Sequence, residues 1–117
     1  ESRSEDYDVQ VNFCLNYGSH AELTDAMRAI AGEVQNGTLA PADINEQTIE
    51  SHLYRQLPPV DFMIRTSGEE RISNFLLWQC AYSEFYFTDV LWPDFTRADL
   101  DTAIEEFNHR SRRFGGI

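Results

Sequence analysis

The sequence has no lysine, and all nine of its positive charges are arginines, against 20 aspartates and glutamates and a net charge of −11. A nucleic-acid surface needs a basic face, so this charge balance argues against DNA or RNA as a partner. No apolar run approaches the roughly 20 residues that cross a bilayer, and no signal peptide opens the sequence. We therefore expect a cytoplasmic protein.

Cysteine is also scarce. Cys14 and Cys80 lie far apart, each inside an apolar segment. Reduced, buried thiols fit this pattern better than a disulfide or a metal site does. We expect both side chains to be buried.

The arginines are unevenly spread. Arg65 and Arg71 form one cluster, and Arg110, Arg112 and Arg113 form a second. The planar guanidinium group binds phosphate oxygens in pairs, so such clusters on an acidic protein favour a small phosphorylated ligand. Surface arginines that balance nearby carboxylates explain the composition equally well.

Hydrophobic periodicity predicts alternating strands and helices. Strands are predicted at 9–15, 60–64 and 84–92. Helices are predicted from a capping box at Ser19 and Glu22 to Asn36, at 45–54, from Ser73 through FLLWQCAYS, and from Thr96 to Gly115. This order is typical of a parallel α/β sheet.

Three strands are fewer than the five or six of a usual doubly wound sheet. We therefore predict an α/β fold in which residues 1–117 form a single-domain fragment, part of a parallel open sheet flanked by helices. Its N-terminal strands are expected to be missing from this chain.

The chemistry is predicted at the carboxyl end of the strand VDFMI, where ligands bind in open parallel sheets. The strand leads into Arg65, a Thr-Ser-Gly turn, Arg71 and a helix predicted to start at Ser73. Two guanidinium groups, a hydroxyl and a helix N-terminus would hold a phosphate or diphosphate. The alternative is that Arg71 pairs with Glu69 or Glu70, and that Ser73 only caps its helix.

Three segments of the sequence carry a family resemblance: VNFCLNYG, DFMIRTSGEERISNFLLWQCAYSEFYFTDVLWPDF and RRFGG. Together they resemble the C-terminal half of the cis-prenyltransferases, the undecaprenyl diphosphate synthases. The resemblance implies condensation of isopentenyl diphosphate with an allylic diphosphate such as farnesyl diphosphate. The product is a long-chain polyprenyl diphosphate such as undecaprenyl diphosphate, the lipid carrier for cell-wall synthesis.

The resemblance also assigns residues. Arg65, Arg71 and Ser73 match the family residues that bind the diphosphate of isopentenyl diphosphate. Arg113 and Gly115 match an arm that reaches across a homodimer into the neighbouring active site. Glu84 matches a glutamate near the Mg²⁺–diphosphate site.

The family's aspartate motif, of the DGNGRW type, does not occur in these residues, so no catalytic residue is assigned to this chain. The resemblance implies that a missing N-terminal half supplies it, and that the fragment alone is inactive. A non-catalytic accessory subunit of a heteromeric cis-prenyltransferase is the alternative. Peripheral contact with the inner membrane face is a further expectation.

Two smaller expectations concern side chains away from the arginines. NYGSH has His20 where the family usually has arginine, and we expect an exposed residue in the first turn of a helix. The aromatic residues between Phe75 and Phe95 are expected to pack in the core or in a dimer interface rather than line a lipid tunnel.

Overall fold

The computed structural model describes residues 9–110. In chain order it contains helix α1 (Ser19–Gln35), helix α2 (Glu46–Ser51), strand β1 (Phe62–Arg65), strand β2 (Glu84–Phe87) and helix α3 (Arg97–His109). Short 3-10 turns at Pro41–Asp43 and Trp92–Asp94 precede α2 and α3.

The two strands pair in parallel, with Phe62 opposite Glu84 and Arg65 opposite Phe87. The parallel α/β arrangement predicted from the sequence is therefore confirmed. The ring of Phe62 lies 6.3 Å from Tyr86 on the neighbouring strand and 4.8 Å from Phe107 on α3, centroid to centroid. These aromatic contacts pack α3 against the sheet.

Helix α3 begins where the sequence predicts. Thr96 and Asp99 form a reciprocal capping box, in which each side chain accepts a hydrogen bond from the other residue's backbone. At the other end, Arg110 donates to the carbonyl of Phe85 at 2.5 Å and pairs with Glu106 at 2.9 Å. Both ends of α3 are thus fixed, and the second fixes it to β2.

Helix α1 differs from the prediction at its start. Its N-cap is Gly18 and Ser19 is its first residue, so the predicted Ser19–Glu22 capping box is wrong. The helix buries Ala26 and Ile30, while Met27 is 66% exposed. Its end at Asn36 agrees with the prediction.

No helix within residues 9–110 combines the length and the apolar character needed to span a membrane.

The segment 9–15 is not a strand in the structure, which corrects the prediction. Its four apolar side chains are 69–86% exposed. A strand needs a neighbour to accept its backbone hydrogen bonds, and within the described range no strand lies beside it. Cys14 is exposed for the same reason, against our expectation, whereas Cys80 is buried as expected.

The segment 72–83 is also not a helix. Ser73, Asn74 and Leu76 have φ angles of 52°, 62° and 49°, in the left-handed region that a right-handed helix cannot contain. The backbone instead forms a series of turns.

The predicted helix at 45–54 is shortened to the six residues of α2, with Asn45 as its N-cap.

Replacing Thr96 by alanine tests the capping box. Loss of an N-cap side chain exposes unpaired donors, so we expect the free energy of unfolding to fall by about 1 kcal/mol in urea denaturation. Thr102→Ala is the matched control, because Thr102 bonds only to the carbonyl of Ala98 within the same helix. An equal loss in both variants would contradict a special role for the cap.

Candidate functional site

The loop that follows β1 is attached to the end of β2. The amide of Ser67 donates to Val90 at 2.8 Å and that of Gly68 to Thr88 at 2.9 Å, while Thr88 donates back to Arg65 at 3.0 Å. Ser67 and Gly68 both have φ near 70° (68° and 69°), which makes the turn sharp. Arg65 therefore lies at the carboxyl edge of the sheet, where both strands end.

A cavity of about 400 Å³ lies at this carboxyl edge. Arg65 and Arg71 contribute two positive charges to its lining, and no carboxylate from residues 9–110 lines it. Thr66 and Ser67 add hydroxyl groups, and the remaining wall is apolar, including Phe75. Such a cavity suits a small anion that carries an apolar tail.

A larger cavity, of about 1140 Å³, lies beside α2. Among the described residues, its lining includes the carboxylates of Glu33, Glu46 and Glu50 but a single arginine, Arg55. The excess of negative charge disfavours a diphosphate there. The smaller cavity is therefore the candidate site despite its size.

Arg71 lies at the mouth of the smaller cavity rather than deep within it. Its side chain is 66% exposed and forms an ion pair with Glu69. The alternative pairing considered for Arg71 is thus present. An exposed ion pair of this kind contributes about 0–1 kcal/mol, so a phosphate group can displace Glu69 at little cost.

Ser73 does not line the cavity with the two arginines. The helix that was predicted to start there is absent, because its backbone turns into the left-handed region. The helix N-terminus that we expected to contribute backbone donors to an anion is therefore not formed at Ser73. The structure brings Arg65 and Arg71 together, and leaves Ser73 outside.

Glu84 begins β2, opposite Phe62, whereas Arg65 lies opposite Phe87. Three residues of strand separate the two levels, which corresponds to about 10 Å. Among residues 9–110, no group of three or more histidine, cysteine, aspartate or glutamate side chains could hold a metal ion. The described residues do not fit a complete Mg²⁺ centre at the arginine cavity.

Two of the predicted site residues, Arg113 and Gly115, lie outside the described residues. Arg110, from the same arginine cluster, is described, and its guanidinium group bonds to the carbonyl of Phe85 and to Glu106. His20 is exposed in the first turn of α1, as expected.

A buried carboxylate on α1, outside the lining of the arginine cavity, was not predicted from the sequence. Glu22 is 3% exposed, and it accepts hydrogen bonds from the Tyr17 hydroxyl at 2.5 Å, the Tyr54 amide at 3.0 Å and the Gln79 side chain at 3.3 Å. Burial, and then the hydrogen bond to Glu22, raise the pKa of Tyr17 to about 12. A glutamate in a first helical turn predicts a cap, so the sequence carries no signal for this network.

The sequence of this chain is similar to those of known proteins. The prenyltransferase family model, described as undecaprenyl diphosphate synthase, matches residues 1–115. Decaprenyl diphosphate synthase of Mycobacterium bovis is 54% identical over 108 residues, which are 92% of this chain and 36% of that protein. An isoprenyl transferase of Streptococcus thermophilus is 54% identical over 112 residues, 92% of this chain and 45% of the relative.

A solved structure agrees with these relatives. Lavandulyl diphosphate synthase from Lavandula x intermedia, in complex with dimethylallyl diphosphate, superposes with a TM-score of 0.82 at 45% identity. The match covers 86% of this chain and 44% of the plant enzyme. The chain thus spans less than half the length of the proteins it matches.

The raised pKa of Tyr17 predicts a loss of stability in alkali. The unfolded phenol ionises near pH 10, while the folded one holds its proton to about pH 12, so stability falls between these values. We expect Tyr17→Phe to show a smaller decline across this window in urea denaturation. Subtracting the phenolate absorbance of the variant from that of the parent should isolate the titration of Tyr17, with a midpoint near pH 12. A midpoint near pH 10 would contradict the hydrogen bond from Tyr17 to Glu22.

Proposed function

The chain belongs to the undecaprenyl diphosphate synthase family of prenyltransferases, and we propose that it forms the isopentenyl diphosphate site of a complete cis-prenyltransferase. The relatives are diphosphate synthases and isoprenyl transferases, which supports a transferase. One observation carries the proposal for the site: Arg65 and Arg71 line the same cavity at the carboxyl edge of the sheet.

Isopentenyl diphosphate has a charged part and an apolar part, and the cavity has a charged wall and an apolar wall. Its diphosphate would accept paired hydrogen bonds from the guanidinium groups of Arg65 and Arg71. Its five-carbon alkene would lie against the apolar wall, which includes Ile72 and Phe75. We include Ser73 as a further ligand on the basis of the resemblance alone, since it does not line the cavity with the two arginines.

In the proposed reaction, the carbon–oxygen bond of the allylic diphosphate breaks and diphosphate leaves. The double bond of isopentenyl diphosphate supplies the electron pair for the new carbon–carbon bond. A proton is then lost from the former isopentenyl unit, which leaves a new cis double bond. Arg65 and Arg71 hold and orient the spectator diphosphate, so the alkene faces the allylic carbon.

We propose Mg²⁺ as the cofactor of the complete enzyme, where it would offset the charge of a diphosphate group. Glu84 is the carboxylate of this chain that we propose as a ligand. Its remaining partners would come from the substrate, from water and from residues beyond those described, since Mg²⁺ often binds through one or two carboxylates.

The complete enzyme is proposed to be longer than this chain and dimeric. The matched relatives are more than twice as long as this chain, so residues 1–117 are proposed as one domain fragment that works with an N-terminal half. That half would bind the allylic diphosphate, and the fragment alone would be inactive. A homodimer would place Arg113 and Gly115 in the neighbouring site.

A polyprenyl diphosphate of the decaprenyl or undecaprenyl kind is the proposed product. In the undecaprenyl case it would serve as the lipid carrier for cell-wall synthesis. Because such a product is a long lipid, we propose a cytoplasmic enzyme with peripheral contact at the inner membrane face.

Alanine at Arg65 or Arg71 of the complete enzyme tests the site. Each substitution removes a charge-assisted bidentate contact worth about 1.5–3 kcal/mol, so we expect KM for isopentenyl diphosphate to rise roughly ten- to a hundredfold. The assay is incorporation of radiolabelled isopentenyl diphosphate into farnesyl diphosphate with Mg²⁺. Arg28→Ala, an exposed arginine on α1, is the control.

Unchanged KM in both arginine variants would overturn the assignment of the site. A complete enzyme that transfers no prenyl group, yet activates a second and catalytic chain, would favour the accessory-subunit alternative. Turnover by the isolated 117 residues at the full rate would contradict the proposed need for an N-terminal half.

Mixed dimers test the proposed role of Arg113. Arg113→Ala and Arg65→Ala should each be impaired alone, because each lacks one arginine in every site. In a mixed dimer, one of the two sites would carry both arginines, so co-expression should restore part of the activity. No recovery in verified heterodimers would show that Arg113 does not act across the interface.

A further inference from the structure

Asn74 joins the segment that carries Arg71 to the first turn of α1. The carbonyl of Asn74 accepts a hydrogen bond from the Ser19 amide at 2.8 Å, and its side-chain Oδ1 accepts one from the His20 amide at 2.8 Å. The first amides of a helix have no partner within the helix, and Gly18 provides no side-chain cap. Asn74 therefore caps α1 from 54 residues away along the chain.

A second contact lies three residues further on. The hydroxyl oxygen of Ser19, which is 1% exposed, accepts a hydrogen bond from the Leu77 amide at 2.7 Å. The segment is thus attached to the same helical turn at Asn74 and at Leu77. Two attachments fix both the position and the direction of the backbone between them.

The fit between Gly18 and Asn74 is close. A Cβ atom at Gly18 would lie 2.8 Å from the Nδ2 atom of Asn74, which is closer than such atoms approach in proteins. Gly18 has a φ of −152°, which any residue adopts. Any larger residue at position 18 would therefore have to displace the Asn74 side chain, although the backbone conformation would permit it.

The backbone at the attachment is itself unusual. Ser73 and Asn74 have φ angles of 52° and 62°. Asparagine tolerates the left-handed region better than most residues, but serine does not, and strained residues persist only where their surroundings hold them. The hydrogen bonds to α1 tie this turn to the helix.

From these observations we infer that Asn74 is a positioning residue for isopentenyl diphosphate. It holds the turn that follows Arg71 against α1, and so limits where the exposed Arg71 guanidinium can reach. The inference rests on the proposed function of the Arg65–Arg71 cavity. Without Asn74, the segment would have to be ordered when substrate binds, and the affinity would fall by that cost.

The test compares two substitutions of Asn74 in the complete enzyme. Asn74→Gly removes the Oδ1 acceptor but keeps the left-handed backbone accessible. Asn74→Asp keeps an acceptor at the helix N-terminus, where negative charge is favourable. We expect Asn74→Gly to raise KM for isopentenyl diphosphate about tenfold or more, with kcat within about twofold, and Asn74→Asp to stay near the parent.

Asn45→Ala provides the matched control. Asn45 is also a helix-capping asparagine, but it caps α2. Its loss should destabilise the protein by a similar amount and leave KM unchanged. If KM rises equally in Asn45→Ala and Asn74→Gly, the rise reflects a general loss of stability. That result would overturn the inference.

Gly18→Ala tests the same contact from the opposite side. We expect its added methyl group to displace the Asn74 side chain and to raise KM much as Asn74→Gly does. In the double variant Gly18→Ala/Asn74→Gly, the methyl group has no side chain to displace, so the two effects should not add. Additive effects would contradict a shared contact.

Amide hydrogen exchange separates this inference from the proposed function. Asn74→Gly should speed exchange of the Ser19, His20 and Leu77 amides, whether or not the enzyme turns over. Faster exchange with no prenyl transfer in any variant, parent included, would overturn the proposed function and with it the substrate role of Asn74. Prenyl transfer with unchanged exchange and unchanged KM would overturn the inference alone.

Discussion

The parallel pairing of β1 with β2 is the constraint on which the rest of the site depends. Because both strands end at the same edge, the loop after Arg65 can bond to the backbone at Thr88 and Val90. The chain must then return along the sheet to begin β2 at Glu84. Residues 66–83 make that crossover, and they carry Arg71 to the edge where Arg65 already lies.

The shape of this crossover explains where sequence reasoning succeeded and where it failed. The two strands, the cap at Thr96 and the end of α1 follow from local patterns and were predicted, although β2 ends at Phe87 and not at residue 92. The run FLLWQCAYS is apolar and long enough for a helix, but a short apolar run does not by itself distinguish a helix from a packed, irregular segment. Hydrogen bonds from Ser19 and His20 to Asn74 favour the irregular form, and these join residues more than 50 positions apart.

The prediction of a strand at 9–15 was wrong for a related reason. Alternating apolar residues predict a strand only if a neighbouring strand is present to pair with it, and residues 9–110 contain none beside it. Within the predicted site, the placement of Arg65 and Arg71 beside one cavity agrees with the structure, whereas the helix start at Ser73 does not. Arg65 and Arg71 were identified from residue type and from their place after a buried strand. The carboxylate network at Glu22 instead depends on the side chains of Tyr17 and Gln79 and on the backbone amide of Tyr54, which lie far apart in the sequence.

The central claim is that Arg65 and Arg71 bind one diphosphate group. Its most direct test is a crystal structure of the complete enzyme with isopentenyl diphosphate. The claim predicts the diphosphate between the two guanidinium groups, with Arg71 released from Glu69 and the alkene against the apolar wall. A diphosphate bound elsewhere, with the Arg71–Glu69 ion pair intact, would contradict it.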